Sequence, residues 1–309
     1  MKKLSIILVL SLFLISCGGT STTDPRDVYD KIHSGTTGLD IGFFDNSPPK
    51  EVLENQGFKG VVVIENIGGF DVSEGILKIV VDDYLVPISN DLSKNFNLPG
   101  KSEYNLQGDQ ILEVYNFKGL IFENLSQTHE SEIVAVICYD YKTEMREEVC
   151  IDPDFFNIDT PSNEKVCTVD PKNTGSQGGP VEVSRIEPKF VATGSEIYPS
   201  YLIYVNNVGN GEVLKPGTKD KACDSKGLGD DSWNIVHVEA ELGGDKLNCS
   251  PKDENGNSYV NLIYGEDFLK CTSNKILENS NKPYVTLLNV NLTYGYTNSV
   301  SKLVKIKKI

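Results

Sequence analysis

The chain has 309 residues, with 44 acidic against 29 basic side chains and a formal net charge of −15. That balance excludes a chain built to neutralise nucleic-acid phosphates or an anionic lipid surface, both of which repel it. It leaves cations, basic proteins and neutral glycans as partners.

The first residues, MKKLSIILVLSLFLISCGG, set Lys2 and Lys3 before an apolar run from Leu4 to Ile15, followed by small residues. This is the pattern of a secretory signal, and the run is about half the length a membrane-spanning helix needs. It closes on Leu14-Ile15-Ser16-Cys17, which resembles the lipobox of lipoprotein precursors. The resemblance implies a signal peptide over residues 1–16 and a mature chain that begins at Cys17, acylated through its sulfur. Acyl chains contribute roughly 0.8 kcal/mol per buried methylene, so such a chain is anchored to a membrane without crossing it. Loss of residues 1–16 removes Lys2 and Lys3 and no acid, leaving a net charge of −17. Residues 17–37, rich in Gly, Ser and Thr, read as a flexible tether with a turn of helix from Pro25.

From Leu39 the chain becomes short apolar runs separated by Gly, Pro and Asn: LDIGFF, GVVVIEN, ILKIVVDDYLV, QILEVYNFKGLIF and EIVAVICYDY. The β-branched and aromatic content and the period near two argue strands, and no long segment keeps a helical period. After a polar stretch the same texture resumes in VEVSRIEPKF, YLIYVNN, NIVHVEAEL, YVNLIYG, YVTLLNVNLTYGY and VSKLVKIKKI. The expected fold class is all-β, two tandem immunoglobulin-like β-sandwich domains over residues 38–152 and 179–309, joined by a linker at 153–178.

The two halves repeat two landmarks. Glu65-Asn66-Ile67-Gly68-Gly69 follows VVVI as Asn206-Asn207-Val208-Gly209 follows YLIYV, an offset of 141 between Asn66 and Asn207. Tyr139-Asp140-Tyr141 answers to Tyr294-Gly295-Tyr296 at an offset of 155. An internal duplication with about 14 extra residues in the second copy explains both, GTKDKACDSKGLGDDS being the expected insertion. An asparagine can bond its own backbone two residues on, and a following glycine takes positive φ freely, so Asn66, Gly68, Asn207 and Gly209 read as strand-ending turns. Each Tyr-x-Tyr pair places its rings on one face of a strand, with the hydroxyls expected near the rim.

Six cysteines follow Cys17, an even count that in an exported chain reads as disulfides. A hairpin turning near Thr143 to Arg146 would join Cys138 to Cys150, successive strand ends would join Cys249 to Cys271, and Cys167 with Cys223 would remain; Cys150 with Cys167 is the competing arrangement. No Cys-x-x-Cys occurs and the three histidines lie far apart in the sequence, which argues against a structural zinc site. Calcium is the cofactor candidate, at Asp152, Asp154 and Asp159 near the junction. Asp253-Glu254-Asn255-Gly256-Asn257 looks like part of a calcium loop but lacks the distal glutamate, and its Asn-Gly reads as a tight turn.

The runs ending in Asn-x-Gly, VVVIENIGGFDVSEGILKIVV and YLIYVNNVGNGEVL, resemble CARDB-type and related immunoglobulin-like modules of prokaryotic surface proteins. The longer pattern GTTGLDIGFFDNSPP, VIENIGGFDV, CYDYKTEMREEVCIDP, GGPVEVSRIEP and LTYGYTNSVSKLVKI resembles tandem immunoglobulin-like lipoproteins of small-celled archaea. The resemblance implies a sandwich fold and an extracytoplasmic setting, and it carries over no catalytic residue. With no Gly-x-Ser-x-Gly and no His-Glu-x-x-His, the expectation is a non-enzymatic, membrane-anchored adhesion or spacer protein that recognises a protein or glycan partner. An envelope enzyme working on glycans through paired carboxylates is the alternative. The insertion with Gly217, Cys223 and Trp233 is the expected interaction loop.

Overall fold

The computed structural model describes residues 25–309 apart from 90, 122–126, 156–163, 194–195, 225–226 and 278–281. The expected signal peptide, Cys17 and Asp159 therefore lie outside the described residues.

The first half of the chain gives the helix α1 (Pro25–Ile32) and strands β1 (Leu39–Phe43), β2 (Glu51–Leu53), β3 (Gly57–Asn66), β4 (Val72–Val81), β5 (Leu85–Pro87), β6 (Ser93–Leu98), β7 (Gln110–Gly119) and β8 (Thr128–Ile151). Then come β9 (Lys172–Asn173), β10 (Val181–Pro188), β11 (Val191–Thr193), β12 (Glu196–Tyr198), β13 (Ser200–Asn207) and β14 (Glu212–Leu214). The helix α2 (Lys219–Cys223) precedes β15 (Ile235–Leu242), β16 (Asp245–Lys246), β17 (Asn248–Ser250), β18 (Tyr259–Asn261), β19 (Glu266–Thr272) and β20 (Tyr284–Lys307). The protein is all-β and sandwich-like. In β3, Val62, Ile64 and Asn66 are buried while Val61, Val63 and Glu65 are only partly covered, the alternation expected of a strand with one face on a core.

Three sheets carry the architecture. The first copy contributes a four-stranded sheet, β1-β3-β7-β5, and the second a five-stranded one, β17-β19-β13-β10-β9. A nine-stranded sheet in the order β16-β15-β20-β8-β4-β6, with β2, β14 and β18 alongside, belongs to both copies. Its spine is the antiparallel pairing of β8 with β20, which runs unbroken from Tyr284 opposite Ile151 to Lys307 opposite Thr128. Twenty-four residues at about 3.3 Å each make a ladder roughly 80 Å long. The first half of β8 pairs with β4, and the first half of β20 pairs with β15. Each sandwich is thus completed by half of the other copy's last strand, and one hydrophobic cluster runs through both. The two sandwiches therefore share a core.

Register also locates the insertion. Ile76 lies opposite Cys138, and His237 lies opposite Thr293, which is 155 residues further on. His237 therefore answers to Ile76, and the offset between copies rises from 141 at Asn66 and Asn207 to 161. The surplus falls between β14 and β15, and the residues carrying α2 fold back onto the first copy. There Lys78 Nζ donates to the Cys223 carbonyl at 2.8 Å, and Gly217 N donates to Asp140 Oδ1 at 2.9 Å.

The cystines follow this path. Cys138 is bonded to Cys223, Cys150 to Cys167 and Cys249 to Cys271, in place of the expected Cys138–Cys150 and Cys167–Cys223 pairings. The hairpin behind those pairings does not exist, because Thr143–Arg146 lies within the unbroken strand β8. Twelve residues of strand hold Cys138 and Cys150 about 40 Å apart.

Residues 25–37 also depart from the expected free tether. α1 docks through Tyr29 and His33, whose rings are 4.2 Å apart, with His33 4.8 Å from Phe70 and the Arg146 guanidinium 4.6 Å above Tyr29. Gly35 N then donates to Ser176 Oγ at 3.0 Å and its carbonyl accepts from Gly178 N at 2.9 Å.

Replacing both Cys138 and Cys223 by serine is expected to lower unfolding stability by about 2–5 kcal/mol in urea. Mass mapping of non-reduced peptides should recover Cys138 linked to Cys223 and Cys150 linked to Cys167.

Candidate functional site

The repeated Asn-x-Gly and Tyr-x-Tyr motifs meet at the middle of the β8–β20 ladder. Gly68 N donates to Asn66 Oδ1 and Gly209 N to Asn207 Oδ1, each at 3.2 Å, which is the asparagine turn of the sequence reading. The reason for glycine differs from that reading, since neither Gly68 nor Gly209 has positive φ. Room decides instead. A Cβ on Gly68 would strike the Tyr141 hydroxyl and come within 2.7 Å of the Gly178 carbonyl oxygen, and one on Gly209 would strike the Tyr296 hydroxyl and approach Pro180 Cβ to 2.6 Å.

Tyr139 faces Tyr296 across the ladder and Tyr141 faces Tyr294. All four side chains are buried. Their rings form a closed set, with centroids 5.7 Å apart for Tyr139–Tyr141, 5.9 Å for Tyr139–Tyr296, 6.2 Å for Tyr141–Tyr294 and 6.4 Å for Tyr294–Tyr296. Tilted and edge-on contacts of this kind each add about 0.5–1.5 kcal/mol beyond burial. The hydroxyls are not at a rim; they bind strand ends. Tyr139 accepts from Leu39 N at 3.2 Å, and Tyr141 accepts from Phe70 N at 3.2 Å while donating to the Gly178 carbonyl at 3.3 Å. Tyr296 accepts from Gly211 N at 2.8 Å and donates to Asn207 Oδ1 at 3.2 Å. Tyr294 pairs with Thr143 Oγ1 at 2.7 Å.

Burial raises the pKa of all four phenols, well above the ordinary value for Tyr139 and Tyr294 and to about 12 for Tyr296. They stay neutral across the physiological range, so the cluster offers hydroxyls as hydrogen-bonding groups and no acid–base pair. Gly38, Gly179 and Pro180, which pack around these hydroxyls, escaped the sequence reading. Their signal was the offset of 142 that relates the starts of β1 and β10.

The other expected sites resolve differently. Asp152 and Asp154 do approach one another, but the buried Lys165 ammonium lies between them, 2.7 Å from Asp152 Oδ2 and 3.6 Å from Asp154 Oδ2. It supplies the cation that calcium was expected to supply. Among the described residues no group of three or more His, Cys, Asp and Glu side chains is arranged to hold a metal. Asp253 caps its own turn, accepting from Asn255 N at 2.9 Å and Asn257 N at 2.8 Å, with Gly256 at φ +83°. In the insertion, Gly217 and Cys223 are tied to the first copy, and Trp233 is held by a bridge to Leu214. The insertion is thus fastened at all three residues chosen for an interaction loop.

No protein-family model matches the chain, and no curated protein matches it. Among solved structures, VesC, a secreted serine protease from Vibrio cholerae, aligns at 10% identity and a TM-score of 0.22, covering 86% of this chain and 51% of that one. The chain spans about half the length of that protease. The YadV chaperone aligns at 10% identity and a TM-score of 0.19 over 81% of this chain and 91% of its own. The E. coli chaperone DraB aligns at 9% identity and a TM-score of 0.19 over 79% and 89%. At such TM-scores these likenesses carry no argument about function.

Gly68→Ala and Gly209→Ala are each expected to cost about 1–3 kcal/mol in urea unfolding. Gly175→Ala, where an added methyl meets open space, should stay within about 0.5 kcal/mol of the unmodified protein. Burial lowers the pKa of His33 and of His237 below the ordinary 6.5. The unfolded chain therefore takes up protons first, so this contribution is complete above about pH 6.5 and is lost as pH falls toward the folded values. The urea midpoint should drop from pH 7 to pH 5.5, and the double variant His33→Gln/His237→Gln should flatten that drop.

Proposed function

We propose that the protein is an extracytoplasmic lipoprotein, held to its membrane through Cys17, that acts as a non-catalytic binding or spacer module for a protein or glycan partner. The observation that carries this reading is the β8–β20 ladder. By sharing strands, the two sandwiches form one stiff body, suited to holding a surface at a fixed distance from an anchor. Three cystines among the described residues favour an oxidising compartment. The strong negative charge disfavours lying flat on anionic headgroups and favours standing away from them.

Expressed in a host that processes lipoproteins, the unmodified chain should sediment with membranes and partition into the detergent phase. Cys17→Ala should be recovered in the soluble fraction with the same unfolding midpoint. Equal partition of the two chains would overturn the anchoring.

A further inference from the structure

The two copies are related by a local two-fold axis through the middle of the ladder, and the outward faces of their separate sheets differ. In the second copy that face mixes charged with apolar groups. Lys270 lies opposite Leu202, and Tyr204, opposite both Arg185 and Phe268, donates to Glu187 at 3.0 Å. In the first copy the register sets Val63 opposite Leu112 and Val61 opposite Val114, side by side on one face. Phe44, in line with β1, joins them where its N donates to the Val61 carbonyl at 2.9 Å. Phe44 is 53% exposed, Leu112 50% and Val114 45%. A soluble surface rarely leaves side chains of this size contiguous unless something covers them.

The charges on this face lie at its ends. Asp40 and Glu65, opposite one another, bound it at the Asn66 end of β3, and Lys59 and Lys118 bound it at the other. Among the described residues none of these four groups is in an ion pair. Within the apolar part, Gly42 lies opposite Val63, and a Cβ placed there would meet nothing within 4 Å. A cleft of about 300 Å³ opens at that point between Phe44, Val63, Glu65 and Leu112, bordered by Asp45 in the turn after β1.

We propose that this face packs on the same face of a second copy, about a two-fold axis that lies in the plane of contact and crosses the strands between Val61 and Val63. Such a contact has to complement itself, and this face does. Residues equally far from the axis on the same strand come to face each other. Glu65 meets the partner's Lys59, Val63 the partner's Val61, and Leu112 the partner's Val114. On the line of β1 the matching positions are Gly42 and Phe44, so each phenylalanine ring enters the open space at the partner's glycine. A two-fold axis along the strands would instead set acid against acid and lysine against lysine. The packing is that of two aligned sheets about 10 Å apart. Three strands about 4.8 Å apart and four rows about 6.7 Å apart give roughly 400 Å² on each copy, the low end for a specific interface, so the dimer is a weak one. The inference goes beyond the spacer reading and does not rest on the anchor.

Sedimentation equilibrium of the full chain in density-matched detergent tests it, and a monomer–dimer equilibrium is expected at micromolar concentration. Leu112→Asp, at an exposed site, should weaken the dimer at least tenfold and leave the urea midpoint in place. Phe268→Asp, on the corresponding face of the second copy, should leave association unchanged. Glu65→Lys and Lys59→Glu should each weaken the dimer at least threefold at low salt, and the double reversal should return it to within about twofold of the unmodified chain. Where a variant does not fold, p-benzoylphenylalanine at Leu112 decides the matter: illumination should give a covalent dimer of this chain, and the same group at Phe268 should give none. A monomer at every concentration, a dimer that survives Leu112→Asp, a double reversal no tighter than the single ones, or a crosslink to a different protein overturns the proposal.

Discussion

Twenty-four residues of β8 lie against twenty-four of β20, and the rest of the molecule has to be built around that ladder. Along β8 the odd positions Ile133, Ala135, Ile137, Tyr139, Tyr141, Thr143, Met145, Val149 and Ile151 are all buried. A slip of one residue would turn this whole series to the other face. The same face of the strand serves the first sandwich over its first half and the second sandwich over its second half. The even positions face outward, and both cysteines of β8, Cys138 and Cys150, are even. Their partners Cys223 and Cys167 therefore come from chain that crosses the outer side of the shared sheet, and the insertion carrying α2 covers that side beside Ile76 and Cys138.

The tyrosine cluster fixes where the ladder is centred. Asp140 opposite Gly295 marks the midpoint, and the four rings flank it in pairs. Two hydroxyls reach out of the shared sheet to the first residues of strands in the facing sheets, at Leu39 and Val181, and two reach the turns that lead from those sheets back into the shared one, at Phe70 and Gly211. Those bonds tie the four-stranded and five-stranded sheets to the same point of the nine-stranded one. Gly68 and Gly209 sit against two of the hydroxyls, so Asn-x-Gly and Tyr-x-Tyr are two halves of one device. A side chain at either glycine would push the turn off its tyrosine.

What was legible in the sequence was local. The period of two, the Asn-x-Gly turns and the repeated landmarks are short-range patterns, and they yield the all-β class and the duplication. What was not legible depended on partners far along the chain. Thr143 to Arg146, inside YKTEMREEV, read as a hairpin turn, yet the buried Tyr141, Thr143, Met145 and Val149 alternate with charged residues on a sheet face open to water, which is how a half-covered strand reads. Once that segment was taken for a hairpin, Cys138 had to be paired locally, and its true partner lay 85 residues away. The ion pairing of the acidic residues near the junction was hidden for a similar reason. Nothing in the spacing of Asp152 and Asp154 announces that Lys165 closes on both.

The near-symmetric sharing of strands by the two halves also explains why differences between them matter more than likenesses. A position kept in both copies, such as Asn66 with Asn207 or Tyr141 with Tyr296, answers to the symmetry of the joint. A position that differs has been released from it. The outward face of β3 and β7 carries Val61, Val63, Leu112 and Val114, whereas the corresponding face of β13 and β19 stacks Tyr204 on Phe268 at 5.3 Å and binds the Tyr204 hydroxyl to Glu187 at 3.0 Å. Around the local two-fold axis, the Gly178 carbonyl accepts the Tyr141 hydroxyl on one side, while Asn298 lines a cleft beside Tyr296 on the other. A symmetric joint would have had to fill both sides or neither; departures of this kind are where a scaffold assembled from two copies of one unit acquires a surface of its own.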